Sequence, residues 1–169
     1  FMLVPPTEAI KGKLFLVRGR VEKQPRDKDE MEDAKLDQEI LQGEKLVTSP
    51  NSQVGVEFPD FAKIVLGANT QLDFVNLIPA NFLLAQSSGS VNYQLLQDNN
   101  SLSVRSLHSL VTFSGDITIS ISQQNIIIRV LKGKAKLALV DLDNQTHIWE
   151  LEKGQSALVN DTQRRVEIK

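Results

Sequence analysis

The two histidines of this 169-residue chain are its best candidates for acid–base chemistry. His108 is followed directly by a serine, and Asp116 lies farther along, so the residue types of a Ser-His-Asp triad occur near one another. A triad depends on geometry, however, which this spacing does not impose. The sequence has no cysteine and no GxSxG, HExxH, GxGxxG or P-loop motif. We therefore expect His108 on a surface turn and predict a protein that is not an enzyme.

Acidic residues imitate a calcium site in one segment. Asp141, Asp143 and Glu152 take the first, third and twelfth positions of an EF-hand loop. The sixth position is Thr146, where the sharp turn of that loop needs glycine, and the flanking segments have the pattern of strands rather than helices. The segment is therefore predicted to be a hairpin turn, and the sequence indicates neither a metal site nor a cofactor.

His147 and Trp149 share one face of a predicted strand, because side chains alternate along a strand. Two interpretations are open. The pair can pack at the edge of a core, as a partly buried Trp often does, or it can form a ligand platform, since indole has a large apolar surface with one polar group. For a carbohydrate ligand, Tyr93 is the further stacking residue that the chain offers.

Lys132, Lys134 and Lys136 project from one side of another predicted strand. Such a stripe either binds an anionic partner or keeps an exposed strand solvated. No aromatic residues interleave with it, aromatic residues make up only 5% of the chain, and the formal net charge is -2. We therefore predict a solvated strand face and no nucleic-acid partner.

Alternation of apolar and polar residues is the dominant pattern after residue 12. Runs that are apolar on both faces, such as 63–66 and 126–128, indicate central strands that are covered from two sides. Turn residues separate the runs at short intervals, and no helical pattern connects them. The sequence therefore predicts an all-β fold of about ten to twelve short strands, as a two-layer β-sandwich or an irregular β-solenoid-like stack.

The length fits a single domain, which we place at residues 12–169. Within it, the segment 23–39 is nearly all charged or polar and is predicted to be a solvated loop insertion. Residues 1–11 are expected to be a linker or the remnant of a removed membrane anchor, because two prolines follow a short apolar start. The chain itself contains no apolar run long enough to span a membrane.

Glycine-centred turns recur in a fixed order along the chain, and this order resembles the FecR-type domain of bacterial extracytoplasmic signalling proteins. The resemblance extends from residue 12 to about residue 160. It comprises an opening strand, a turn glycine before a strand ending in threonine, an alternating strand, and later glycine phrases of the same kind. The matching segments are 14–21, 41–48, 51–58, 67–72, 88–91, 102–105, 130–135 and 151–159.

This resemblance implies a module in the periplasm or outside the cell, attached to the membrane through an anchor outside this chain. It also implies a protein partner in the cell envelope, which in signalling members of the family is a transporter or an anti-sigma regulator. We therefore expect a non-catalytic protein-interaction module, and the resemblance offers signalling to a sigma-factor regulator as its role. A cell-envelope carbohydrate-binding or structural β module is the alternative.

Edge strands are the expected contact surface, because their unpaired amide and carbonyl groups can accept a partner strand. The alternating segment 117–121 is the candidate edge strand, and the sequence alone does not fix which strand is the edge. The candidate contact residues are accordingly Ile117, Ile119, Ile121, His147 and Trp149.

Overall fold

The computed structural model describes residues 7–169, which form fifteen strands and one short 3-10 turn at Pro79–Asn81. The first part of the predicted linker or anchor remnant, residues 1–6, lies outside the described residues. Among the described residues, no helix has the length and apolar character needed to cross a membrane. The strands are β1 (Gly12–Arg18), β2 (Val21–Gln24), β3 (Glu32–Asp33), β4 (Glu39–Ile40), β5 (Lys45–Thr48), β6 (Gln53–Phe58), β7 (Ala62–Leu66), β8 (Gln71–Asn76), β9 (Leu83–Leu95), β10 (Leu102–Ser106), β11 (Ser109–Ser122), β12 (Asn125–Val140), β13 (Thr146–Glu152), β14 (Ser156–Asn160) and β15 (Arg165–Ile168).

Three strands are much longer than the others because glycines bend them without ending them. Gly89 in β9, Gly115 in β11 and Gly133 in β12 have φ values of 80°, 94° and 74°. Glycine reaches this region without steric cost, whereas other residues rarely adopt it. Gly115 and Gly133 also lie directly opposite each other, and a β-bulge follows them in the register of the two strands. The bends let each long strand have different neighbours along its two halves.

These changes of neighbour divide the strands into two layers that share β9, β11 and β12. The order in the first layer is β15-β14-β12-β11-β9-β7-β6-β1-β4. The order in the second layer is β13-β12-β11-β10-β9-β8-β5-β2-β3. The all-β prediction is confirmed, and the arrangement agrees with the two-layer form of that prediction. The number of strands exceeds the expected ten to twelve, partly because β3 and β4 have only two residues each.

The inward-facing side chains of both layers form one hydrophobic core. Phe58 of the first layer lies against Phe74 of the second, with ring centroids 6.1 Å apart. Tyr93 and Phe113 make a second contact between the layers, also at 6.1 Å. Because alternate residues of each strand face this core, the alternation seen in the sequence corresponds to the buried face.

The strand that carries Ile117, Ile119 and Ile121 is not an edge. β11 pairs with β12 on one side and with β9 on the other, so that Ile117 lies opposite both Val130 and Tyr93. The three isoleucines are at most 5% exposed and belong to the core. The edge prediction for this segment is wrong, because alternation reveals which face of a strand is covered but not whether its backbone has neighbours on both sides.

The charged segment 23–39 is partly built into the sheet. Its first residues belong to β2, and β3 and β4 lie farther along it, while no strand forms between residues 25 and 31. Lys23 is buried, and its Nζ lies 3.4 Å from Oε2 of the buried Glu44. A counter-charge from the turn before β5 therefore lets a lysine enter the interior, which the composition of the segment alone does not reveal.

Candidate functional site

β13 has one paired and one unpaired edge. It is antiparallel to β12, and no second strand among residues 7–169 pairs with it. The register fixes the direction of its side chains: Trp149 lies opposite the buried Leu137 and faces the core, whereas Ile148 lies opposite Ala138 and faces outward. No strand among residues 7–169 bonds the backbone groups on the unpaired side, although the N–H and C=O of Glu152 at the end of β13 already bond Gln155, at 2.8 and 3.0 Å.

The turn before β13 is held by Asp141. Its Oδ1 accepts hydrogen bonds from the backbone N–H groups of Asp143 and Gln145, at 2.9 and 2.8 Å. Its Oδ2 lies 2.6 Å from Nε2 of His147, the second residue of the strand. These bonds, first that from Gln145 and next that from His147, hold the pKa of the Asp141 carboxyl below its ordinary value. The predicted hairpin turn is confirmed, and no group of metal-binding side chains occurs in the described part of the chain.

His147 and Trp149 share the inner face of β13, as predicted. Their rings lie 6.0 Å apart and 37° from parallel. Trp149 is half-buried and packs against the core, which agrees with the first of the two interpretations. Tyr93, the other expected stacking residue, is fully buried and donates a hydrogen bond to Gln86 at 2.8 Å, and its burial raises the pKa of the phenol. The structure therefore does not bring these aromatic residues together as a platform.

An exposed apolar row crosses the outer face of the second layer and ends at β13. Leu110, Ala138 and Ile148 lie side by side in register on β11, β12 and β13. Leu110 is 40% exposed and Ile148 is 60% exposed, which is unusual for side chains of this size within strands. We call these three residues the outer row. Beside it lies an open groove of about 660 Å³ with mainly apolar walls, which include Leu83 and Val140.

Charged side chains continue the same outer face beyond Ile148. Glu150 lies opposite Lys136, and Glu152 lies opposite Lys134. All four side chains are exposed, and none of them takes part in an ion pair shorter than 4.0 Å within residues 7–169. Lys132 is likewise exposed. The lysine stripe is thus a solvated strand face, as predicted, and the two glutamates border the unpaired edge.

The suggested trio of serine, His108 and Asp116 is not brought together. Nδ1 of His108 lies 2.8 Å from Oδ2 of Asp161, a residue that follows β14. Asp116 instead accepts a hydrogen bond from Asn92 at 2.9 Å on the first layer. The nearby hydroxyls of Ser106 and Ser109 are buried on the core side and have no hydrogen-bond partner among the described residues. His108 is exposed at a turn between strands, where the sequence placed it.

Comparisons with known proteins bear on the fold. No family model matches the chain. No curated protein matches it. Two crystal structures of a "putative anti-sigma factor" from Parabacteroides distasonis ATCC 8503 superpose on it with TM-scores of 0.64 and 0.63, at 16% sequence identity. Each match covers 74% of this chain but only 58% of the crystallised chain.

At this level of identity the likeness shows a shared fold. It is consistent with the resemblance to the FecR-type domain that the order of the glycine turns indicates, although no family model supports that assignment.

β13 is an edge that the candidate residues of the sequence did not mark as one, yet the sequence carries a signal for it. Trp149 and Leu151 alternate with Glu150 and Glu152, so one face of the strand packs inward and the other is acidic. Charged side chains on a short strand are typical of edges, because they discourage accidental pairing. The stronger regularity of the isoleucines in β11 instead marked a strand at the centre of the fold.

Proposed function

We propose that this domain is a non-catalytic protein-interaction module that acts outside the cytoplasm, in signalling to a regulator of a sigma factor. Its partner binds by adding a strand to β13. The observation that carries the proposal is the unpaired edge of β13 beside the exposed outer row. The likeness in fold to the Parabacteroides distasonis structures supports the signalling class.

Strand addition suits this surface for two physical reasons. The free amide and carbonyl groups of β13 supply directional hydrogen bonds that any polypeptide can complete. The outer row supplies apolar area, since Ile148 is 60% exposed at the border of the sheet, and a strand placed next to it would remove that area from water. Affinity thus comes from both backbone pairing and burial, while specificity comes from the side chains.

Site-specific photocrosslinking tests the contact. A photoreactive amino acid replaces Glu150 on β13 in the full-length protein, within the cells from which the gene comes. The control position is Glu167, which also has an exposed side chain but lies on a different strand, β15. We expect crosslinks from position 150, and not from position 167, to an envelope transporter or a sigma-factor regulator. Crosslinks to such a protein only from position 167 would remove β13 as the contact, and crosslinks to glycan alone would favour the carbohydrate-binding alternative.

Thiol labelling tests on which side of the cytoplasmic membrane the domain lies. Because these 169 residues contain no cysteine, Glu167→Cys creates the one thiol of the domain, on an exposed side chain. We expect a maleimide that cannot cross the cytoplasmic membrane to label this residue in spheroplasts, in which that membrane is intact. Labelling that requires lysis would place the domain in the cytoplasm and contradict the proposal.

A further inference from the structure

The charge pattern of β13 identifies the kind of strand that fits it. We propose that the partner strand is cationic and amphipathic: it presents basic side chains opposite Glu150 and Glu152 and an apolar side chain opposite Ile148. This inference rests on the proposed function, and it adds the chemistry of the partner segment.

The register of a sheet limits what can lie beside β13. A strand paired with it has alternate side chains on the outer face, next to Ile148, Glu150 and Glu152, because all strands of a sheet share the same alternation. The residue opposite Ile148 extends the outer row by one position, and an apolar side chain there is buried against Ile148. The residues opposite the two glutamates stand within reach of their carboxylates.

Electrostatics decides the charge that is favourable for the side chains opposite the two glutamates. Lys136 and Lys134 already occupy the β12 side of Glu150 and Glu152, so the opposite side of each carboxylate is open. Basic residues on an added strand would complete a ladder in which positive and negative side chains alternate across three strands. Acidic residues would place like charges directly opposite each other, which is unfavourable in antiparallel pairs. The glutamates therefore admit one class of strand and reject another.

The other free edges lack this pattern. β15 carries Arg165 and Glu167 on its exposed face, which have opposite charges, and Glu167 lies 3.9 Å from Lys169. β3 and β4 have two residues each and offer too little backbone for stable strand addition. β13 has seven residues and two adjacent outward carboxylates. Length thus distinguishes β13 from β3 and β4, and uniform charge distinguishes it from β15.

Two synthetic peptides test the proposal. In both peptides threonine occupies every second position, and the residues between the threonines are designed to face the outer side of the sheet. Both have valine at the position designed to lie opposite Ile148. One has lysine at the two positions meant for Glu150 and Glu152, and the other has glutamate there. Fluorescence anisotropy gives the affinities, and amide chemical-shift changes in the domain give the site. We expect the lysine peptide to bind about tenfold more tightly at low salt and to shift the amides of β13, and we expect the difference to shrink as salt screens the charges.

Charge reversal provides the matched control. In the double variant Glu150→Lys, Glu152→Lys the preference should reverse toward the glutamate peptide, whereas Glu167→Lys on β15 should leave it unchanged. Both changes concern exposed side chains, so the fold is expected to survive. The neutral variant Glu150→Gln, Glu152→Gln serves if the reversed one does not fold, and it should bind both peptides equally.

Equal binding of both peptides to the unaltered domain, absence of binding, or shifts confined to β15 would overturn the inference. These results are separable from the fate of the proposed function. If position 150 crosslinks to an envelope partner while the peptides show no preference, the proposed function stands and the inference that the partner strand is cationic fails. If the lysine peptide binds β13 but no envelope protein crosslinks there, the preference of β13 for a cationic strand stands and the proposed function fails.

Discussion

At the residue scale, the fold depends on glycines where the long strands bend. Gly115 and Gly133 face each other between β11 and β12 with positive φ. A Cβ on Gly115 would collide with the carbonyl oxygen of Lys132, and one on Gly133 would collide with that of Ser114. The backbones thus approach more closely than any side chain allows, and glycine is required by contact as well as by conformation.

We predict that Gly115→Ala lowers the free energy of unfolding by about 2–4 kcal/mol, which combines backbone strain with the steric clash. Gly154→Ala is the matched control: Gly154 also has positive φ, at 89°, but nothing lies within 4 Å of its added Cβ. This control should lose only about 1 kcal/mol, from conformational strain alone. Urea denaturation measures both. Equal losses in the two variants would show that the close approach at the bend contributes nothing.

Asp141 shows how one side chain sets the geometry of the candidate edge. Its carboxylate binds two backbone N–H groups of the turn and the ring of His147, and these contacts lower its pKa from the ordinary 3.8. Because the pKa is lower in the folded state than in the unfolded state, the folded protein binds fewer protons between the two values. The carboxylate therefore stabilises the fold fully above about pH 4, and this contribution disappears as the pH falls through the lowered pKa.

We predict that Asp141→Asn is less stable than the unaltered domain at neutral pH and that the gap closes as the pH falls below about 4. Urea unfolding at a series of pH values gives the gap, and NMR titration of the carboxyl gives its pKa directly. Asp143→Asn is the control, since that side chain accepts no hydrogen bond among residues 7–169. A gap that stays constant with pH would mean that the charge of Asp141 does not stabilise the turn.

At the element scale, some features of each strand follow from its sequence and others do not. The alternation of Ile117, Ile119 and Ile121 correctly indicated their buried face, because burial is a property of a strand's own side chains. Which strands are central depends on pairing between distant segments, such as β11 with β9, and no local pattern records it. The position of Trp149 at the core border and the turn at Asp141 were predictable for the same local reason.

The buried ion pair between β2 and the start of β5 illustrates a non-local feature. Lys23 lies in a segment whose composition predicts a solvated loop, yet Glu44 approaches it to 3.4 Å in the interior. Glu44 also accepts a hydrogen bond from the backbone N–H of Leu41 at 2.7 Å, which fixes the turn before β5. The pair thus links β2 to the turn before β5 within the second layer.

We predict that Glu44→Leu destabilises the domain by about 3–5 kcal/mol, because it leaves the ammonium of Lys23 buried without a counter-charge. The double variant Lys23→Met, Glu44→Leu removes both charges and should recover a large part of that loss. Urea denaturation of the two variants, with the single Lys23→Met change included, completes a double-mutant cycle. If the double variant is as unstable as Glu44→Leu, the unpaired charge is not the cause of the loss.

At the scale of the whole molecule, Asp161 joins parts of the fold that are far apart in sequence. Its carboxylate accepts a hydrogen bond from the backbone N–H of His108 at 3.0 Å and bonds the ring of the same residue. Its own N–H donates to the carbonyl of Gln124 at 2.8 Å. His108 precedes β11 and Gln124 follows it. Since β11 bends at Gly115 and its halves belong to different layers, Asp161 links the residues at its two ends.

We predict that Asp161→Ala lowers the free energy of unfolding by about 1–3 kcal/mol, through the loss of an acceptor for two donors at a nearly buried position. His108→Ala should cost less, because the bond from its backbone N–H to Asp161 remains. Hydrogen exchange distinguishes the two: the amide of residue 108 should lose protection in Asp161→Ala and keep it in His108→Ala. If both variants are equally unstable and both keep that amide protected, the two ends of β11 are held by core packing and not by Asp161.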